Sequence, residues 1–266
     1  GGHFGFPRLE VAGAAIATAL GCFIAFLMSV QSLVSPKSKL RLTLKKSWLP
    51  SREILAPVGE ISFSAFVEQL CMRLGFFLYA LIVAGLGTKM FATHQICMNI
   101  CNICFSCYDG FAAAAAALVG QNLGRKRSDR AECVTVICNR LATTMAILMV
   151  AGLILFRAPL IQMFTADPEI IQLGSWIMIL FALSVPSLSA MTVYGGALRG
   201  AGDTRLIAVY ALISTTIIRP ALSWLLCYPV GLGVIGPWIG LLVDFVLRFL
   251  LCRRRYRTGF WKQRVY

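Results

Sequence analysis

Two carboxylates stand inside apolar stretches of this 266-residue sequence: Glu68 in FVEQL and Asp109 in CYDGF, with Arg73 five residues after the first. An ionisable side chain in hydrocarbon is expensive and is by default a functional candidate. Burial disfavours the charged form of a carboxylate, and a neighbouring guanidinium favours it. A group balanced between the two can take up a proton or Na⁺ on one side of a membrane and release it on the other. That is the chemistry of ion coupling. The two acids fall at similar depth on consecutive apolar runs, and Arg73 is expected to partner them. The same charges also suit a plainer role, an ion pair that ties helices together, and both readings stand.

Other constellations invite chemistry. GGALRGAGDTR, residues 195–205, puts four glycines and two arginines together, as phosphate-cradling loops do. No strand precedes it and no Lys–Ser/Thr pair follows. A tight turn between helices explains it better, with Gly200 and Gly202 supplying positive φ. Asp203 or Thr204 then caps the next helix, and Arg199 and Arg205 face cytosol or lipid headgroups or pair with Asp203. Cys97, Cys101, Cys104 and Cys107 have a spacing seen in iron–sulfur ligation. Within a spanning helix the same spacing is one packing stripe, and cysteine packs as a small apolar residue. His94 is expected as a hydrogen-bonded histidine near the outer end of its run, or as a proton relay. Asp244 and Arg248, spaced i, i+4, are expected to pair. Arg219 precedes Pro220, a kink that frees carbonyls.

The elements that must carry these residues follow from composition. The chain is 58% hydrophobic with 14% charged residues, against about 25% charged in soluble domains, which indicates a polytopic membrane protein. The runs are continuous rather than alternating, so they are helices and the fold class is all-α. Seven spans are predicted, at 11–34, 54–84, 91–119, 133–156, 170–198, 206–228 and 230–252. Every odd connection, and the tail with Arg253, Arg254, Arg255 and Arg257, is basic, while the even ones carry few or no cations. By the positive-inside rule the basic ends are cytoplasmic, with the N-terminus outside and the C-terminus inside. The net charge of +14 therefore marks cytoplasmic loops rather than nucleic-acid binding. The segment from Ser35 to Arg52 alternates basic and apolar residues between two prolines. It reads equally as a strip lying on an anionic leaflet or as a solvated linker.

VAGAAIATALGCFIAFL from Val11 and VIGPWIGLLVDFVLRFL from Val234 share Val, Gly, Ile, Phe and the final Leu without a gap. That pairs the first span with the seventh in a six-helix repeat of the kind secondary transporters use. GALRGAGDTR then resembles the signature after the tenth helix of multidrug and toxic compound extrusion (MATE) transporters. ALVGQNLGRKR at 117–127, FTADPEII at 164–171, FVEQL and VAGAAIAT are similar to other pieces of that family, in order and spacing. The resemblance implies a twelve-helix protein of two six-helix lobes. This chain would be the sixth helix (1–34), a basic interlobe linker (35–53), a complete C-terminal lobe (54–252) and a cytoplasmic tail (253–266). The N-terminal lobe would be missing.

The resemblance also implies the function: export of amphipathic, often cationic, small organic compounds by alternating access, in exchange for protons or Na⁺, from a bacterial inner membrane. No enzyme activity, cofactor, metal or nucleic-acid partner is expected beyond the lipid bilayer, the substrates and the other lobe. The alternative is a lipid or polysaccharide flippase of related architecture. Glu68 matches the family's helix-seven acid. Many members carry a second acid in the tenth helix, where this chain reads SVPSLSAMTVYGG. Asp109 then substitutes, or coupling resides in the other lobe.

Overall fold

In the computed structural model, residues 10–34 and 52–262 are described. They fall into two units divided after Arg52. The first contains one helix, α1 (Glu10–Val34), whose apolar stretch runs from Ala15 to Gln31. The second is a bundle of α2 (Arg52–Ala84), α3 (Thr88–Gly124), α4 (Ser128–Leu155), the short α5 (Arg157–Gln162), α6 (Pro168–Gly200), α7 (Thr204–Ala211), α8 (Arg219–Cys227) and α9 (Ile235–Arg257). A π-helical segment, Leu212–Ile218, joins α7 to α8 in one span. Six helical spans of this unit are long and apolar enough to cross a membrane. The basic segment 35–53, expected as a linker between lobes, lies almost wholly outside the described residues.

The helices outrun the predicted spans at their polar ends. α3 has 37 residues. At about 1.5 Å per residue it reaches about 55 Å, well past the roughly 30 Å hydrocarbon core. α9 continues through Arg257, so Arg253, Arg254, Arg255 and Arg257 belong to its last turns. Cations there oppose the negative end of the helix dipole. α6 begins with Asp167, whose carboxylate accepts from the Glu169 amide at 3.0 Å, followed by Pro168 in the first turn. Next to that cap, Lys89 of α3 bridges to Glu169 at 2.6 Å.

α6 is the axis of the bundle and packs against α3, α4, α5 and α9. Small residues let it approach α3. A methyl group added at Gly196 would lie 2.3 Å from the Ala112 carbonyl oxygen, and one at Gly200 2.2 Å from that of Ala116. The alanine run of α3 is thus paired with a glycine stripe of α6, the small-residue packing expected where lipid gives no hydrophobic drive between helices. Further along, Phe105, Phe181 and Trp238 interlock edge-to-face, with centroids 5.8 and 6.2 Å apart. Cys97, Cys101 and Cys104 are buried in that same core, while Cys107 is half-buried. Gly200→Val is expected to destabilise the bundle by at least about 1–3 kcal/mol, because the obstacle is backbone that cannot swing away. Gly152→Ala, which meets open space, should change little. Thermal melting of the two purified variants side by side checks this.

The turn after α6 separates the roles of its glycines. Gly202 has φ 78° and closes the helix, with the Gly202 amide donating to Arg199 and the Asp203 amide donating to Leu198. Gly200 is still helical, so the expectation of positive φ there is corrected: it is glycine because Ala116 presses on it. Asp203 precedes α7 but makes no side-chain cap there; its carboxylate takes the Arg255 guanidinium at 2.6 Å instead.

Candidate functional site

A cavity of about 730 Å³ opens into the bundle between α2, α3, α6, α7 and α9. Glu68, Arg73, Asp109, Arg199 and Arg248 contribute its charges, among methionines and phenylalanines such as Met72, Met98, Phe105 and Phe245. Volume and lining suit a small organic molecule with an apolar body and a few polar anchors.

Glu68 is the buried charge of this wall, and Arg199 donates to its Oε1 at 2.8 Å. The pair joins α2 to the last turn of α6. Arg199 folds back along its own helix over Gly195, where an added methyl would sit 3.9 Å from its Nη2. Two expectations are corrected here. Arg73 is not the partner of Glu68: five residues on a helix rotate the side chain by about 140°, which separates the two faces. Arg199 does not turn outward or pair with Asp203, but reaches into the cavity. Asp109 and Arg73 do line the same cavity as Glu68, and both are exposed to it. Neither makes an ion pair among the described residues.

Behind the cavity lies a second polar group that the sequence only half revealed. Asp244 of α9 is fully buried. Its Oδ1 accepts from Ser214 at 2.5 Å and from Thr215 at 3.3 Å, both in the π segment. Arg248, spaced i, i+4 as expected, approaches the same carboxylate at 3.3 Å. Arg219, also fully buried, lies 3.9 Å from Oδ2. Its guanidinium stacks on Phe76 and Tyr79, 4.5 and 4.3 Å from the ring centroids. The predicted irregularity at Arg219–Pro220 is the π segment itself. Pro220 has no amide to donate into the preceding turn, and the helix widens just before it. The widened turn rests on α2, where Thr216 donates to the Cys71 carbonyl at 3.0 Å and Gly75 sits under the Thr215 carbonyl.

His94 departs from expectation. Near the start of α3 it is buried among other helices, edge-to-face with Tyr79 at 5.1 Å and Trp238 at 5.6 Å, and its Nδ1 has no hydrogen-bond partner among the described residues, where a hydrogen-bonded histidine was expected. Two signals pointed to the missed residues. Gly195, one turn ahead of Arg199, leaves room for the side chain that folds back over it. Ser214 and Thr215 supply hydroxyls in an apolar run ahead of Arg219.

The sequence profile of the MatE family matches residues 64–225. "Probable multidrug resistance protein NorM" of Thermotoga maritima is 29% identical over 99% of this chain and 56% of its own length. "Multidrug resistance protein MdtK" of Photorhabdus laumondii is 30% identical over 91% of the chain and 54% of its own length. The chain thus spans about half the length of the curated relatives it matches. Among solved structures, the "outward-facing conformation of a multidrug resistance MATE family transporter of the MOP superfamily" superposes with a TM-score of 0.82 at 20% identity, over 94% of this chain and 57% of that one.

Proposed function

Because the chain belongs to the MatE family, a family of membrane transporters and not of enzymes, we propose that it works in secondary active export of small amphipathic compounds, often cationic, by alternating access. Inward flow of protons or Na⁺ drives the cycle. Basic helix ends face the cytoplasm of a bacterial inner membrane, and the cavity is one wall of the transport path, opposite a second bundle.

The observation that carries this reading is the Glu68–Arg199 pair on the cavity wall. A proton or Na⁺ arriving at Glu68 competes with Arg199 for the carboxylate and frees the guanidinium. That changes what joins α2 to the cytoplasmic end of α6, next to the turn where α6 hands over to α7. Loss of the cation restores the pair. Occupancy of one carboxylate is thereby tied to the relation between two helices, as coupling requires. Asp109, exposed in the same cavity, is a second anion that a cation or a cationic substrate can meet.

The test is dye efflux from vesicles holding the protein expressed from its complete reading frame, under a proton gradient and a Na⁺ gradient imposed separately. One of the two gradients should accelerate efflux several-fold. Efflux that ignores both would overturn the reading.

A further inference from the structure

The charges of the cavity wall are not all spent on each other. Glu68 and Arg199 are paired at 2.8 Å, and Arg248 is held by Asp244 at 3.3 Å. Arg73 on α2 and Asp109 on α3 remain. Both are exposed and line the same cavity, and neither takes part in an ion pair or side-chain hydrogen bond among the described residues. A wall built for simple cations would not carry an unneutralised guanidinium. An arginine so placed repels a monocation and presents a fork of N–H donors matched to a carboxylate. The same two helices add Met72, Phe76, Met98 and Phe105 to the lining, with the amides of Gln69 and Asn102 among them.

We propose that this cavity selects amphoteric amphiphiles, taking the acidic group of the compound on Arg73 and its positive group beside Asp109. An ester of the same compound loses the Arg73 contact and leaves that guanidinium facing a net cation. The inference rests on the reading of the cavity as the substrate's path and adds the class of substrate.

Rhodamine 110, which carries a free carboxylic acid on a cationic ring system, and rhodamine 123, its methyl ester, differ only at the acid. Efflux of both is measured from vesicles holding the protein from its complete reading frame, as the wild type, R73Q, R73K and D109N. The wild type should favour the acid by about ten-fold in kcat/KM, the worth of a hydrogen bond to a charged group. R73Q should bring the acid-to-ester ratio near one, R73K should restore part of it, and D109N should weaken both dyes while keeping the ratio. A melting temperature of R73Q within a degree or so of wild type separates recognition from folding. If both dyes are exported under a gradient with a ratio near one in the wild type, or with a ratio that R73Q leaves unchanged, the amphoteric reading falls and the transport reading stands. If neither dye moves under any gradient, both fall together.

Discussion

Glu68→Gln is expected to leave the protein folded in the membrane and to remove the response of export to an ion gradient. Glutamine keeps the shape and one acceptor for Arg199 but cannot gain or lose a proton and holds Na⁺ poorly. Coupling between two sites is typically worth about 1–3 kcal/mol, or roughly 5–150-fold, so stimulation by the gradient should fall by that factor. The stability cost should be smaller. Arg199 is 38% exposed at its side chain and can turn to water when its partner is lost. Arg199→Gln makes the complementary case: the carboxylate can still take up a cation but has no guanidinium to release, so stimulation by the gradient should fall toward that of Glu68→Gln. A double-mutant cycle over the two positions isolates their interaction, in stability and in gradient stimulation alike. Gradient-driven export by Glu68→Gln at the wild-type rate would remove Glu68 from the coupling role. A loss confined to the Glu68→Gln melting temperature would make the pair a structural tie.

The residues that were legible in the sequence are those whose environment is set in one dimension. Six spans of the bundle could be drawn from uninterrupted apolar runs and the alternation of basic connections, because length and charge position suffice for both. Glu68 and Asp109 stood out because an acid within such a run has no bland local explanation. Arg199 did not stand out. It sits at the end of a span beside a glycine turn, where an arginine is ordinarily at the interface, and its partner is 131 residues away in the chain. The same limit hid the reason for Gly200. Gly200 and Gly202 look alike in GGALRGAGDTR, yet one answers to a backbone angle and the other to a neighbouring helix. The surroundings of His94 were hidden for a related reason: distance from the end of an apolar run gives depth, not which face of the helix meets Tyr79 and Trp238. The opposite case is Asp244 and Arg248, legible because i, i+4 on one helix is local geometry. Their third partner, Arg219, comes from another helix and was not.

That third partner makes Asp244→Ala the most damaging single change expected in the bundle. Asp244 is the only acid within ion-pair distance of Arg219 among the described residues, and both are fully buried. Removing one member of a buried pair typically costs about 3–5 kcal/mol, because the other is left charged without compensation. Stacking on Phe76 and Tyr79, worth about 2 kcal/mol or more when desolvated, offsets only part of it. Ser214 and Thr215 lose their acceptor at the same time, and with it the tie that holds the π segment to α9. Asp244→Asn should fall between, since its amide oxygen still accepts from Ser214 while the charge is gone. The informative variant is the double change Asp244→Ala with Arg219→Met. It removes both charges and returns apolar volume, and replacing a buried pair by apolar side chains is often close to neutral. The double variant should therefore melt well above Asp244→Ala alone. Melting curves of the purified proteins in detergent decide it. If Asp244→Ala melts with the wild type, the carboxylate does not hold the helices. If the double variant melts no higher than Asp244→Ala alone, the loss comes from the hydroxyl contacts of the π segment rather than from a stranded guanidinium.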